Sequence, residues 1–174
     1  MNTAIKMLKS LERFNEEIQQ EGIPAFGMGM GINTAEVVVG NMGSDQRFDY
    51  TCLGDGVNLA ARLEGQSKTY GVLIVLGPET AEQVRGKIDV FELDCIAVKG
   101  KKIGVKIYTV GRETEHHRQF LESYYTGDWK KALKNLEMAK EFHEDMTDYY
   151  ANMRSRIEAG KPDDWDGTFR ATTK

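Results

Sequence analysis

Residues Arg47 to Arg62 read R-F-D-Y-T-C-L-G-D-G-V-N-L-A-A-R and contain the sharpest change of pattern in the chain. As far as Leu53 the segment is β-prone, which predicts a strand. Glycines on either side of Asp55 predict a turn, and the apolar residues from Val57 onward have helical spacing. Side chains at the strand end and in the first helical turns are therefore expected to meet at one concave spot.

Two polar residues of the predicted helix make this spot a candidate binding site. Asn58 and Arg62 are four residues apart, so they share one face of the helix. The guanidinium of an arginine offers a planar fork of donors and keeps its charge, which suits phosphate oxygens. Structural alternatives remain open, since Asn58 could cap the helix and Arg62 could face solvent or pair with Glu64. Spacing alone favours these alternatives.

The segments around this stretch alternate between strand and helix patterns. Gly27, Gly29 and Gly31 occupy every second position of one predicted strand, and a glycine face lets a helix or another backbone approach closely. The pattern predicts helices over 5–18, 57–68 and 78–84, and strands over 26–32, 36–41, 47–53, 72–76, 90–93 and 105–110. This order indicates an α+β or α/β sandwich.

The chain changes character after Gly111, where glycine and β-branched residues become rare up to residue 158. Apolar residues at helical spacing on both sides of Gly127 predict a helical hairpin, comparable to one degenerate tetratricopeptide-like unit. A polar terminus follows from about residue 161, and its Trp165 and Phe169 are expected to dock on the body. We therefore predict a first domain over 1–111 and a helical tail over 112–174.

Reactive side chains outside this stretch suggest no further chemistry. Cys52 and Cys95 lie far apart without a CxxC or Cys/His cluster, so buried, reduced thiols are expected. His116, His117 and His143 fall in the tail and are expected to face water. Catalysis by a Ser/His/Asp or Cys/His relay is not predicted.

Composition excludes two classes of function. The chain has 174 residues and a formal net charge of -4, whereas nucleic-acid binders generally need a basic surface. No apolar run approaches the roughly 20 residues that span a bilayer. We expect this chain to contact neither nucleic acid nor a membrane.

Three ordered blocks resemble the class III adenylyl/guanylyl cyclase family. They are G-M-G-I-N-T-A-E-V-V-V-G-N-M-G-S from Gly29 to Ser44, D-Y-T-C-L-G-D-G-V-N-L-A-A-R-L-E from Asp49 to Glu64, and V-K-G-K from Val98 to Lys101. The resemblance implies the C-terminal part of a ferredoxin-like α+β sandwich, with further strands upstream. The tail is similar to the C-termini of bacterial cyclases that carry a CHASE2 sensor and membrane helices.

The resemblance implies a reaction and three catalytic residues. ATP, or alternatively GTP, would be converted to a cyclic 3′,5′-nucleotide and pyrophosphate at a site shared across a head-to-tail homodimer. Asn58 would orient the ribose, Arg62 would stabilise charge on the triphosphate, and Lys99 would reach the β and γ phosphates from a loop. The implied location is the cytoplasm, and anchoring of the parent protein in the inner membrane stays open.

Purine recognition is implied for three further residues at the end of the predicted strand. Thr51 matches the position that reads the purine edge, and the backbone of Cys52 and Leu53 would assist it. The match favours adenine and leaves guanine open.

The resemblance also implies two Mg or Mn ions, whose aspartate ligands would come from a segment upstream of this chain. Asp45, Asp49 and Asp55 do not occupy the ligand positions, so no residue here is predicted to bind metal. The chain alone is therefore expected to be inactive and to need a homodimer or a complete cyclase chain. Two alternatives stay open: a nucleotide-binding or dimerisation module without turnover, and a docking role for the tail.

Overall fold

The computed structural model describes residues 1–44, 47–97 and 104–170. Within these ranges the helices are α1 (Asn2–Gln20), α2 (Asp55–Tyr70), α3 (Pro78–Val84), α4 (Glu115–Tyr125), α5 (Trp129–Lys140) and α6 (Thr147–Glu158). The strands are β1 (Met30–Ile32), β2 (Val38–Ser44), β3 (Arg47–Leu53), β4 (Ile74–Leu76), β5 (Val90–Ile96) and β6 (Val105–Val110). A 3-10 turn over Glu144–Met146 joins α5 to α6.

A four-stranded mixed sheet forms the centre of the fold, in the order β1-β4-β6-β5. Strand β1 runs parallel to β4, and β6 is antiparallel to both of its neighbours. One apolar cluster joins the sheet to α1 and α3. A second and larger cluster joins it to α2 and to the helices that follow residue 112. The predicted α+β fold is confirmed.

Helix α2 lies against β1 through the glycine face that the sequence predicted. A Cβ atom added at Gly31 would come within 2.2 Å of the backbone of Ala60 and Glu64, and one at Gly29 within 1.9 Å of Ser67. Only glycine permits this approach. The strand is shorter than predicted, since β1 covers three residues.

Strands β2 and β3 form a separate antiparallel hairpin that pairs with no other described strand. Apolar side chains on both faces of this hairpin are exposed, and they are Val38, Val39, Phe48, Tyr50 and Leu53. Exposed apolar groups of this density on a two-stranded ribbon are typical of a surface that another protein covers.

The residues after 112 fold as helices that share the core of the sheet. Helices α4 and α5 form the predicted hairpin, and α6 packs against both α5 and α2. Trp165 docks as predicted, because its indole N–H lies 3.2 Å from the carbonyl oxygen of Tyr124. Phe169 also docks, through backbone hydrogen bonds with Cys95 and Ala97. Within the described part of the chain, none of the helices has the length and apolar character that crossing a bilayer requires.

The expectation that the histidines face water is wrong. His117 is fully buried and His143 is 8% exposed, while His116 is half-buried. His117 lies on the apolar face of α4, three residues before Phe120 and seven before Tyr124. Its position in this helical pattern therefore indicates burial. The expectation of buried thiols is wrong for Cys52, which is exposed on the hairpin, whereas Cys95 is half-buried; both are free.

Candidate active site

Helix α2 presents the two candidate catalytic side chains on its outer face. Leu59 and Leu63 are buried against the core, whereas Asn58 and Arg62, each one position earlier, are exposed. The helix begins directly after Gly54 and ends at Gly71, whose φ of 63° is the left-handed conformation common after a helix end. The pair therefore lies in the first half of a helix whose opposite face is packed against the core.

Neither of these two side chains makes a hydrogen bond or an ion pair within the described ranges 1–44, 47–97 and 104–170. The residue that caps α2 is Gly54, without a side-chain cap, so Asn58 does not serve as a cap. Arg62 forms no ion pair with Glu64 in this part of the chain, where the ion pairs involve other arginines and lysines. No described residue therefore occupies either group, and an amide next to a guanidinium suits an oxygen-rich anion.

The last residues of β3 lead directly into this helix. Thr51, Cys52 and Leu53 are exposed, and they pair across the hairpin with Gly40, Val39 and Val38 respectively. Because strand side chains alternate, Thr51 and Leu53 share one face of the hairpin and Cys52 lies on the other. Only Gly54 separates Leu53 from α2. The two groups of candidate residues are thus adjacent in the chain and are both open to solvent.

A further residue, which the sequence reasoning missed, fixes the start of α2. The amide nitrogen of Asn33 donates to the carbonyl oxygen of Gly56 over 3.1 Å. A Cβ atom at Gly56 would lie 2.3 Å from that of Ala35, so this position has no room for a side chain. The hydroxyls of Thr34 and Thr80, 3.0 Å apart, tie the same segment to α3. The sequence N-T-A, followed further along by G-D-G, indicates the hydrogen bond of Asn33, because the side chain of an Asn before a turn commonly forms a hydrogen bond with backbone groups.

Lys99, the third candidate catalytic residue, lies outside the described residues, as does Asp45. Asp49 and Asp55 are exposed. In the described ranges, His, Cys, Asp and Glu form no group of three or more that could hold a metal ion. The described residues therefore do not fit a metal site, and no step through a metal is assigned to them.

Comparisons with known proteins relate the first two thirds of the chain to cyclases. Residues 1–112 match the family described as the adenylate and guanylate cyclase catalytic domain. "Adenylate cyclase 1" of Rhizobium meliloti is 35% identical over 107 residues, which cover 62% of this chain and 16% of the relative. An adenylate cyclase of Anabaena cylindrica is 35% identical over 118 residues, covering 63% and 23%. The chain thus spans less than a quarter of the length of either relative.

Two solved structures share the fold. The adenylyl cyclase CyaB from P. aeruginosa superimposes with a TM-score of 0.56 at 35% identity, over 64% of this chain and 56% of that chain. The guanylyl cyclase Cya2 superimposes with a TM-score of 0.51 at 31% identity, over 64% and 55%. These neighbours include both an adenylyl and a guanylyl cyclase.

Proposed function

The chain belongs to the adenylate and guanylate cyclase catalytic domain family, and from this membership we propose that it contributes one half of a nucleotide cyclase active site. The proposed reaction converts ATP, with GTP as the alternative, to a cyclic 3′,5′-nucleotide and pyrophosphate in bacterial second-messenger signalling. The proposed location is the cytoplasm, where both nucleotides are available.

The observation that carries this proposal is the pair of Asn58 and Arg62 on α2, both exposed and both without a partner among the described residues. In the reaction, the ribose 3′ oxygen forms a bond to the α-phosphorus while the bond to pyrophosphate breaks. Arg62 would donate to phosphate oxygens and stabilise the charge that develops on the leaving group. Asn58 would hold the ribose so that its 3′ oxygen stays in line with that bond. Lys99 is proposed to contact the β and γ phosphates.

Purine recognition is proposed for the end of β3. The hydroxyl of Thr51 can both donate and accept a hydrogen bond, so it can serve the edge of either purine. The backbone of Cys52 and Leu53 lies at the hairpin end nearest α2 and would complete the contact. Members of this family generally use divalent metal ions, but the described residues do not supply a site for them.

A dimer is proposed because the β2–β3 hairpin exposes apolar groups next to the candidate site. Val39, Phe48 and Tyr50 share one face of the hairpin, opposite to the face of Thr51 and Leu53. Tyr50 is 77% exposed and Phe48 is 62% exposed. Contact with a second chain would remove this apolar face from water.

The same hairpin supports a second candidate function, a dimerisation or regulatory module without turnover. Replacing Phe48 and Tyr50 by Asp should make the protein monomeric in analytical ultracentrifugation. Phe142→Asp, at an exposed aromatic residue outside the hairpin, is the matched control and should leave the association unchanged. Equal association of the unmutated protein, the Phe48 and Tyr50 variant and the Phe142 control would show that the hairpin is not part of the interface.

A complementation assay tests the cyclase proposal. The protein is expressed with all the sequence that its gene encodes around residues 1–174, and Asn58 and Arg62 are both replaced by Ala. This double variant should form no cyclic AMP from ATP and Mn²⁺, and addition of unmutated residues 1–174 should restore activity. Full activity of the double variant would exclude both residues from catalysis. Absence of activity on mixing, with the unmutated protein active, would show that residues 1–174 do not supply Asn58 and Arg62 across a shared interface.

A further inference from the structure

A cavity of about 730 Å³ lies between the connection from β6 to α4 and the connection from α5 to α6. We call it the tail groove and define it by Phe91, Arg112, His116, Phe142, His143 and Asp145. Its volume falls within the range of small-molecule sites, roughly 300–1,000 Å³. It is far from α2 in sequence, and its walls come from β5, from the end of the family match and from the tail.

Aromatic rings line the tail groove in two stacked pairs. The ring of His116 stacks on Phe142, with centroids 5.6 Å apart and planes at 27°. The ring of His143 stacks on Phe91, with centroids 5.3 Å apart and planes at 24°. Phe142 is 64% exposed, so part of its ring remains uncovered. A planar molecule can cover such a ring by offset stacking.

Two imidazole nitrogens at this groove lack partners among the described residues. Nδ1 of His116 and Nε2 of His143 are both shielded from solvent, and neither makes a hydrogen bond in that part of the chain. A buried polar atom left unpaired is destabilising, and such atoms often indicate a molecule that completes the site. Neighbouring His117 differs, because its two ring nitrogens are paired with Tyr150 and with the Glu92 carbonyl oxygen.

The state of the His143 ring fixes what it can bind. Burial lowers the pKa of His143, against a smaller opposing effect of Asp145, so the ring is neutral at pH 7. A neutral ring nitrogen either donates or accepts one hydrogen bond, according to the tautomer. A partner for it must offer an N–H, a hydroxyl or an acceptor nitrogen or oxygen.

Charges around the groove leave a small negative excess. Arg118 pairs with Glu113 over 3.1 Å and with Glu115 over 3.0 Å, so these three groups together carry one negative charge. Arg112 and Asp145, both exposed, add one cation and one anion at the rim. The groove therefore disfavours a strong anion such as a nucleoside triphosphate.

We propose that the tail groove binds a small, planar aromatic molecule without an anionic group. Its ring stacks on Phe142, and its polar edge forms hydrogen bonds with His116 and His143 after these rings turn their shielded nitrogens toward the groove. This site is separate from the proposed cyclase site, and its occupancy does not depend on cyclase activity.

Long-range ¹H–¹⁵N spectra of the histidine rings in residues 1–174 test the proposal directly. The probes are 7-azaindole, benzamide and 4-hydroxybenzamide, each of which has a planar ring and carries both a hydrogen-bond donor and an acceptor. At millimolar concentration, the range expected for fragments of this size, at least one probe should shift Nδ1 of His116 and Nε2 of His143. The resonances of His117 should stay in place, because its nitrogens are already paired.

Variants separate binding in the groove from other causes. Phe142→Ser should weaken probe binding about tenfold through loss of the stacking surface. His143→Phe should abolish the contact while keeping the fold, because it removes an unpaired nitrogen and retains a ring. Met138→Ser, on the exposed part of α5 outside the groove, is the control and should bind as the unmutated chain does. Absence of any shift with all three probes, or unchanged binding by Phe142→Ser and His143→Phe, would overturn the proposal.

Discussion

Arg156 on α6 donates a hydrogen bond to the carboxylate of Asp94 on β5 in the interior of the protein. Asp94 is fully buried, and the side chain of Arg156 is 9% exposed. The hydroxyl of Tyr70, the last residue of α2, donates to the same carboxylate over 2.6 Å. Burial raises the pKa of Asp94, and the charge of Arg156 opposes this shift. The cluster thus connects the sheet, the helix of the candidate site and the tail.

Replacing Arg156 by Met should strongly destabilise the chain. The substitution leaves the buried carboxylate of Asp94 without its countercharge, and breaking a buried pair from one side costs about 3–5 kcal/mol. Urea denaturation followed by circular dichroism measures the loss. Arg154→Met is the matched control, since Arg154 pairs with Glu137 and Glu158 at the surface, and it should change little. The double variant Arg156→Met/Asp94→Asn should regain part of the loss; equal stability of all variants would contradict this account.

Removing residues 113–174 should unfold the remaining chain. The deletion exposes Tyr70, Phe91 and Leu93, which are buried in one apolar cluster together with the tail residues Phe120 and Tyr149. Residues 1–112 should therefore bind the dye ANS and lose cooperative thermal unfolding. A division into two independent domains predicts the opposite result, a folded and cooperative 1–112. ANS binding and thermal unfolding of residues 1–112, compared with those of residues 1–174, therefore show whether the tail shares the core of the sheet or folds separately.

Gly31→Ala should destabilise the contact between β1 and α2. The new Cβ atom would lie 2.2 Å from the backbone of Ala60 and Glu64, and backbone cannot move aside as a flexible side chain can. Overpacking of this kind costs about 1–3 kcal/mol. Gly27→Ala is the control, because nothing lies within 4 Å of its added Cβ. A denaturation midpoint for Gly31→Ala equal to that of Gly27→Ala would show that the helix can shift without cost.

The sequence predicted most of the fold because glycine and proline residues mark many of the boundaries between its elements. Strands 47–53 and 105–110 and helix 78–84 have the predicted bounds, since glycine or proline marks their ends. The alternate glycines before Asn33 predicted the close approach of a helix, and that helix proved to be α2. The buried cluster of Asp94, Tyr70 and Arg156 was not predictable, because its members are far apart in the chain and carry no local pattern.

The candidate site was only partly accessible to sequence reasoning. Helical spacing placed Asn58 and Arg62 on one face, but it could not show that no described side chain pairs with either of them. The hydrogen bond from Asn33 to Gly56 joins residues 23 positions apart and needed the fold. The histidines of the tail were misjudged because polarity was given more weight than their position on an apolar helical face.

Stability should fall as the pH decreases from about 6.5 to about 4. Burial lowers the pKa of His117 from 6.5 to about 4. Between these values the unfolded chain binds a proton that the folded chain does not, so acid favours unfolding, by roughly 3 kcal/mol in total. Above pH 6.5 neither state binds the proton, and this contribution is constant. Chemical denaturation at several pH values measures the slope.

His117→Gln should remove the greater part of that slope. A Gln side chain can donate to the carbonyl oxygen of Glu92 and accept from Tyr150, as the neutral ring does, but it does not titrate. A residual slope of the same sign should remain, because the pKa of His143 is also lowered by burial. An unchanged slope in His117→Gln would assign the acid sensitivity to other groups.

Arg62→Lys should reduce turnover even though it keeps the positive charge. A lysine ammonium is a single compact donor, whereas the guanidinium can hold two phosphate oxygens at once in a fixed plane. If Arg62 stabilises charge on the departing pyrophosphate, loss of that fork should lower kcat by about 10²-fold while KM for ATP changes less. The measurement compares cyclic AMP formation by the unmutated protein and the variant, each expressed with the full sequence encoded by its gene. Lys68→Arg, at another exposed basic residue of α2, is the control and should keep full activity. A kcat for Arg62→Lys equal to that of the unmutated protein would mean that only the charge of Arg62 matters. The proposed bidentate contact between Arg62 and the triphosphate would then be wrong.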